Sequence, residues 1–229
     1  GSASLNENGT VDSQVSANTE AGFSIATFTG GAAGYTVGHG LTKPPEIIFT
    51  FNRTDDGGAH YLFTTAVDGT VDYFSLNATT AKNNDPFSMA VPTETVFSLD
   101  NDYGMDASDN CVAYSFHSVD SFSKVGSYVG NGNADGTYVA LNFRPAWVMV
   151  KCTTHTGSWY IWDDKRSLHN EMDDRVVADL DAAEVADRDL DFLSNGFKLR
   201  ESNNAHNTSG REYIYLAFAS QPAKYSNAR

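Results

Sequence analysis

Basic residues are scarce in this chain. Fifteen lysines and arginines stand against 29 aspartates and glutamates, for a net charge of −14. That deficit argues against a general nucleic-acid binder, which needs a cationic face for phosphates. It argues equally against electrostatic docking on anionic membranes. Cysteine is nearly absent. Cys111 and Cys152 fall in different halves, so small buried apolar side chains are expected rather than a disulfide framework. No apolar run reaches transmembrane length and no signal-peptide pattern is read, so no membrane insertion is expected. The histidines His39, His60, His117, His155, His169 and His206 do not sit at zinc spacings, and no metal or cofactor is expected. A Gly-x-Ser-x-Gly elbow is missing, and Gly30-Gly31-Ala32-Ala33-Gly34 lacks the lysine of a phosphate loop. No catalytic motif is found, and the expectation is a protein that is not an enzyme.

What is present is a recurring strand signal. Pro145-Ala146-Trp147-Val148-Met149-Val150-Lys151 reads as a strand buried on both faces. Pro145 suits its first position, because proline has no N–H to give to a ladder. Lys43-Pro44-Pro45-Glu46-Ile47-Ile48-Phe49 repeats the pattern earlier in the chain. Gly30 recurs as Gly130, Phe97-Ser98-Leu99 as Phe197-Lys198-Leu199, and the run 111–116 as 213–218. Matches in one order at a nearly constant offset of about 100 residues have the size of a domain. They predict an internal duplication that aligns Ile47, Ile48 and Phe49 with Val148, Met149 and Val150.

Short strands separated by turn residues predict an all-β fold of two tandem β-sandwich copies, jelly-roll or lectin-like. The expected divisions are 1–21, a tag remnant and linker; 22–120, the first copy; 121–222, the second; and 223–229, a C-terminal tail. Residues 4–19 are polar and show no apolar period. Asp55-Asp56-Gly57-Gly58 reads as a turn, and residues 81–86 as loop. Residues 173–187 are acidic and Ala-rich. By analogy with 72–76 they are expected to hold a strand through Val176, Ala178 and Leu180, with room for a helical turn after it.

Trp159-Tyr160-Ile161-Trp162 is the richest aromatic cluster. Alternation places Tyr160 and Trp162 on one strand face. Exposed, they would stack on sugar rings or anchor an interface. Core packing is the competing reading. Asp163 and Asp164 follow and could accept hydrogen bonds from sugar hydroxyls. They are also the one nomination for a glycosidase carboxylate pair, among 29 acids that make any chosen pair uninformative. Residues 100–106 place Asp and Asn at alternate positions, yet their glycine and closing acid do not fit a calcium loop, so a solvated turn is expected.

Several stretches carry a resemblance: residues 15–25, Val37-Gly38-His39-Gly40-Leu41, residues 122–128, residues 143–149, Asp191-Phe192-Leu193-Ser194-Asn195-Gly196-Phe197 and the ending from Tyr213. They resemble tail-fibre-type virion structural proteins of tailed bacteriophages, of the marine or cyanophage-like kind, over nearly the whole chain from Val15. The resemblance implies a non-enzymatic virion module, the distal tail-fibre or receptor-binding region. It implies contact with a host cell-surface receptor, a glycan or an outer-membrane component. It further implies partners among other virion proteins, a homo-trimer as one assembly, and location in the virion after synthesis in the host cytoplasm. A structural spacer or capsid decoration protein is the alternative from another class, and a polysaccharide depolymerase is the third. The resemblance carries over no catalytic residue. Glu46 stands where the offset would put Trp147, a departure from the repeat.

Overall fold

The computed structural model describes residues 2–54, 60–84, 89–202 and 205–221, with backbone alone at 187–189. The predicted turn at 55–58, the end of the 81–86 loop and the tail at 223–229 lie outside the described residues. The chain is all-β, and its described helix is one 3-10 turn, Asn101–Tyr103. Two compact units form. One holds Gly1–Leu76 and Asn83–His117, the other Asn77–Lys82 and Ser118–Arg229.

The first unit contains β1 (Ser4–Asn6), β2 (Ser13–Asn18), β3 (Phe23–Thr29), β4 (Tyr35–Gly38), β5 (Ile47–Asn52), β6 (His60–Thr64), β7 (Asp72–Ser75), β8 (Asn83–Asn84), β9 (Val96–Leu99) and β10 (Asn110–Phe116). Its large sheet runs β1-β2-β3-β10-β5-β6-β7-β8, and β4 pairs with β9. Along β3 the burial alternates, as a strand with one inward face requires. Phe28, Ile48, Phe63, Phe97, Leu99 and Tyr103 lie in the core that results.

Residues 4–19 are not a linker. Ser13 and Val15 are buried while Gln14 is exposed, and all of β2 pairs with β3. A serine and a valine two apart were enough to seat the strand. Serine hid the period, because its hydroxyl is satisfied inside by the Gly38 carbonyl at 2.8 Å.

The second unit contains β11 (Ser123–Val129), β12 (Tyr138–Ala140), β13 (Pro145–Cys152), β14 (Trp159–Asp163), β15 (Met172–Val177), β16 (Val185–Leu193), β17 (Gly196–Leu199) and β18 (Glu212–Ala219). Its sheet runs β11-β18-β13-β14-β15-β16-β17-β12. Pro145 opens β13, which is central, between β18 and β14, with Val148 and Val150 fully buried. β15 ends at Val177, short of Ala178 and Leu180. Asp179 stops it by turning its carboxylate back onto the Trp159 N–H at 2.8 Å. A strand, β16, follows where a helical turn was allowed.

With β1 and β2 set aside, the two strand orders coincide. β3-β10-β5-β6-β7-β8 and β9-β4 of the first unit run like β11-β18-β13-β14-β15-β16 and β17-β12 of the second. The registers fix the alignment. Ile47 pairs with Phe116 and Thr64, and Trp147 pairs with Phe218 and Asp163. Ile47 therefore stands where Trp147 stands, and Ile48 where Val148 stands. The alignment expected from the prolines is one residue out, and Glu46 answers to Ala146, not to Trp147. The turn bonds agree: Thr65 N–H donates to Glu46 as Asp164 N–H donates to Ala146, and Leu76 N–H to His60 as Ala178 N–H to Trp159.

Candidate functional site

The aromatic cluster is core. Trp162 is 0% exposed, facing Val148 across the ladder, and Tyr160 faces Val150. The two rings do share a face, with centroids 6.0 Å apart. That face points inward, where His206 lies 5.3 Å from the Trp162 ring. Tyr160 is half-buried, but the Arg175 guanidinium covers its ring at 4.8 Å. Neither ring offers a free face to a sugar, so Trp162 is withdrawn as a binding residue and Tyr160 loses its stacking role. The reason is positional: Trp162 pairs with Val148 of the central strand β13, on the face that packs with Phe197 and Tyr213 in the core.

The carboxylates are occupied by their own turn. Asp163 accepts the Lys165 and Arg166 N–H groups at 3.0 Å through one oxygen and Arg166 Nε at 2.8 Å through the other. Arg166 also pairs with Glu184. Asp164 pairs with Lys165 at 3.1 Å. Asp163 and Asp164 thus hold a surface turn, and both oxygens of Asp163 are engaged within it. The 100–106 loop is mixed: Asp102, Gly104 and Asp106 are exposed, as a solvated turn requires, while Tyr103 and Met105 point into the core. Asp100 is buried, accepting the Asp102 N–H at 3.0 Å and the Gly34 N–H at 2.9 Å. Among the described residues no group of three His, Cys, Asp or Glu side chains could hold a metal.

Lys151, the last residue of the run read as a buried strand, has an unusual place in the structure. It is 0% exposed. Its ammonium donates to the Thr79 carbonyl at 3.1 Å and to the Gly157 carbonyl. It lies 5.5 Å from the centroid of the Trp159 ring, its ladder neighbour. Burial lowers its pKa from 10.5 to about 8, against the weaker upward pull of Asp179. Residues 77–82 form a strap on this face. Gly157 N–H donates to Thr79 and Lys82 N–H to Thr153, at 2.8 and 2.9 Å. The reactive-looking amine is therefore a buried fastener, closed to solvent.

Open concave surface occurs in the first unit. A cleft of about 300 Å³ lies over β2, β3 and β10. Asp12, Gln14, Thr27, Thr29, Arg53 and Asn110 bring charged, amide and hydroxyl groups to it. The ladder sets this gathering: Gln14 pairs with Thr27, and Asn110 with Thr29. Arg53 is held at the rim by its N–H to the Asn110 carbonyl at 2.8 Å. Cys111 also lines the cleft, but burial, with Asp109 beside it, raises its thiol to about 11. It stays protonated near neutrality and is a poor nucleophile. Sequence reasoning missed this cleft because four of its ten lining residues come from the stretch taken for linker.

No curated protein and no solved structure significantly resembles the chain. Residues 1–222 match the family model described as Domain of unknown function (DUF7483), and the chain belongs to that family.

Proposed function

We propose that the two units are copies related by internal duplication, and that the chain is a non-enzymatic binding module of a bacteriophage virion. The coincident strand order and ladder registers support the duplication. The virion setting, with a tail-fibre place and a host-surface receptor, rests on the sequence resemblance. The binding site moves from Tyr160 and Trp162 to the cleft over β2, β3 and β10.

The observation that carries this reading is the composition of that cleft. It offers a guanidinium, a carboxylate, two amides and two threonine hydroxyls around one concavity of about 300 Å³. Donors and acceptors in such a mixture suit a polyhydroxylated ligand, a surface glycan. The one carboxylate among its lining residues, Asp12, is half of what a glycoside hydrolase needs. That favours binding over depolymerisation.

A glycan array and a host-cell attachment assay test it. The wild-type chain should bind a defined glycan class. Arg53→Ala, an exposed change, should weaken binding at least tenfold, on the order of a lost charged hydrogen bond, with its melting temperature unchanged. A stable Arg53→Ala variant that binds as well as wild type would refute the cleft. Absence of glycan binding and attachment would favour the spacer or capsid-decoration role. Reducing ends released from host polysaccharide would favour the depolymerase.

A further inference from the structure

The seam between β3 and β4 is filled in the first unit, and its counterpart between β11 and β12 in the second is open among the described residues. In the first unit residues 9–18 run along it. β2 pairs with the outer edge of β3, with Gln14 opposite Thr27 and Ser16 opposite Ile25. Just before it, Val11 N–H donates to the Thr36 carbonyl of β4 at 3.1 Å. Thr10 and Thr36 exchange backbone-to-hydroxyl bonds at 2.9 Å. Both edges that border the seam are satisfied by this one segment.

The second unit has the corresponding strands, β11 and β12, at the two ends of its sheet. Gly130 N–H donates to Arg211, and Ala219 N–H donates to Phe122. Those two bonds set the phase of the ladder with β18. Even-numbered residues of β11 therefore bond to β18, and odd-numbered ones point outward. Ser123 is answered by Val119, and Val125 N–H by the Ser118 hydroxyl at 3.0 Å. Beyond that point no strand follows among the described residues. Among the described residues nothing pairs with the outward N–H and C=O of Ser127 or with the N–H of Val129. The gap is bridged by side chains instead. Lys124 Nζ donates to the Ala140 carbonyl of β12, and Thr137 Oγ1 to the Val129 carbonyl, each at 2.8 Å. Val129 and Tyr138, which flank it, are 55% and 43% exposed. An unpaired edge beside apolar side chains is a template for strand addition.

We propose that the β11–β12 seam of the second unit binds an extended polypeptide strand from a different protein, patterned like residues 9–18. The occupant is argued from the first unit, where that pattern fits the matching seam. Its inward positions are small or β-branched, Ser13 and Val15, and its outward positions polar. The chain cannot fill the second seam from its own adjacent sequence, because six residues, 117–122, join β10 to β11. The entering strand displaces Lys124 from Ala140 and pairs with Ser127 as Gln14 pairs with Thr27.

The test uses the full chain and a synthetic peptide of residues 8–20. Titration should show saturable binding below roughly 100 µM, the range of modest main-chain recognition. Hydrogen exchange at the Ser127 and Val129 amides should slow on binding. Lys124→Ala, which removes the plug, should tighten the peptide severalfold. Ser127→Pro, which deletes the outward N–H on an edge strand, should weaken it at least tenfold. If Ser127→Pro fails to fold, the wild-type exchange measurement decides. The proposal is overturned by no saturation up to about 1 mM, or by binding that leaves Ser127 exchange unchanged. It is also overturned if the free chain self-associates and protects the same amides, which would give the seam to a second copy.

Discussion

Lys151 makes the stability of the second unit depend on pH in an uncommon direction. The folded pKa is about 8 and the reference value 10.5. Between those values the unfolded chain holds a proton that the folded chain has released. Stability then rises with pH, because the unfolded state binds more protons. The gain is complete above the unfolded pKa and is lost as pH falls through the folded one. The full shift corresponds to a ceiling of about 3 kcal/mol. Between pH 7.5 and 9.5 only part of that interval is crossed, so the expected gain is about 1–2 kcal/mol. The neutral amine still has two N–H groups for Thr79 and Gly157, so the strap stays tied. Trp147, Trp159 and Trp162 all belong to the second unit, so tryptophan fluorescence reads its unfolding alone. From pH 7.5 to 9.5 the urea midpoint should rise by roughly 0.5–1 M. Buried Tyr128, with burial raising its pKa, turns the trend downward at higher pH. Lys151→Met removes the buried charge but strands two carbonyls, each worth about 1–3 kcal/mol. Its stability at neutral pH is therefore uninformative, and its flat profile from 7.5 to 9.5 is the readout. A wild-type profile that is flat or falling, or a Lys151→Met profile that still climbs, refutes the reasoning.

Three further outcomes are expected. Val148→Ala, at a fully buried central position, should cost about 2–4 kcal/mol in denaturant unfolding, and a loss below about 0.5 kcal/mol would deny its place in the core. Trp162→Ala should cost about 3–5 kcal/mol and broaden or abolish the unfolding transition, whereas a stable variant with weakened host attachment would restore the ring as a binding residue. His39 accepts the Leu41 N–H at Nδ1, faces the Thr93 carbonyl through Nε2, and has a pKa lowered by burial, with His117 adding to it. Its folded form stays neutral where the unfolded form gains a proton, so the first unit should weaken as pH falls below about 6.5. Near-UV circular dichroism of its tyrosines at pH 7 and pH 5 checks this, with His39→Gln expected to lessen the difference.

The strands were legible where apolar runs met proline or glycine. Pro145 marks the first residue of β13 because its missing N–H leaves few other places for it. β2 was illegible because serine and asparagine carry no hydrophobic period, although Ser13 is buried. The end of β15 was missed because a single carboxylate, Asp179, sets it. Tyr160 and Trp162 were placed on the right face, but alternation cannot say which face is inside. Lys151 shows the limit most plainly. Its burial depends on residues 77–82, whose arrival no local pattern announces.

That strap limits how the protein can be dissected. Thr79 is synthesised 72 residues before the lysine it receives. A fragment begun at Ser118 would lack it, exposing Lys151 and the Thr153 carbonyl together. Cutting the gene at the obvious joint therefore yields a second half with a missing part. Supplying residues 77–82 as a separate peptide should restore such a half, much as a severed segment complements its parent. On the ribosome the strap emerges long before its seat exists, so the second unit closes around a piece made in advance.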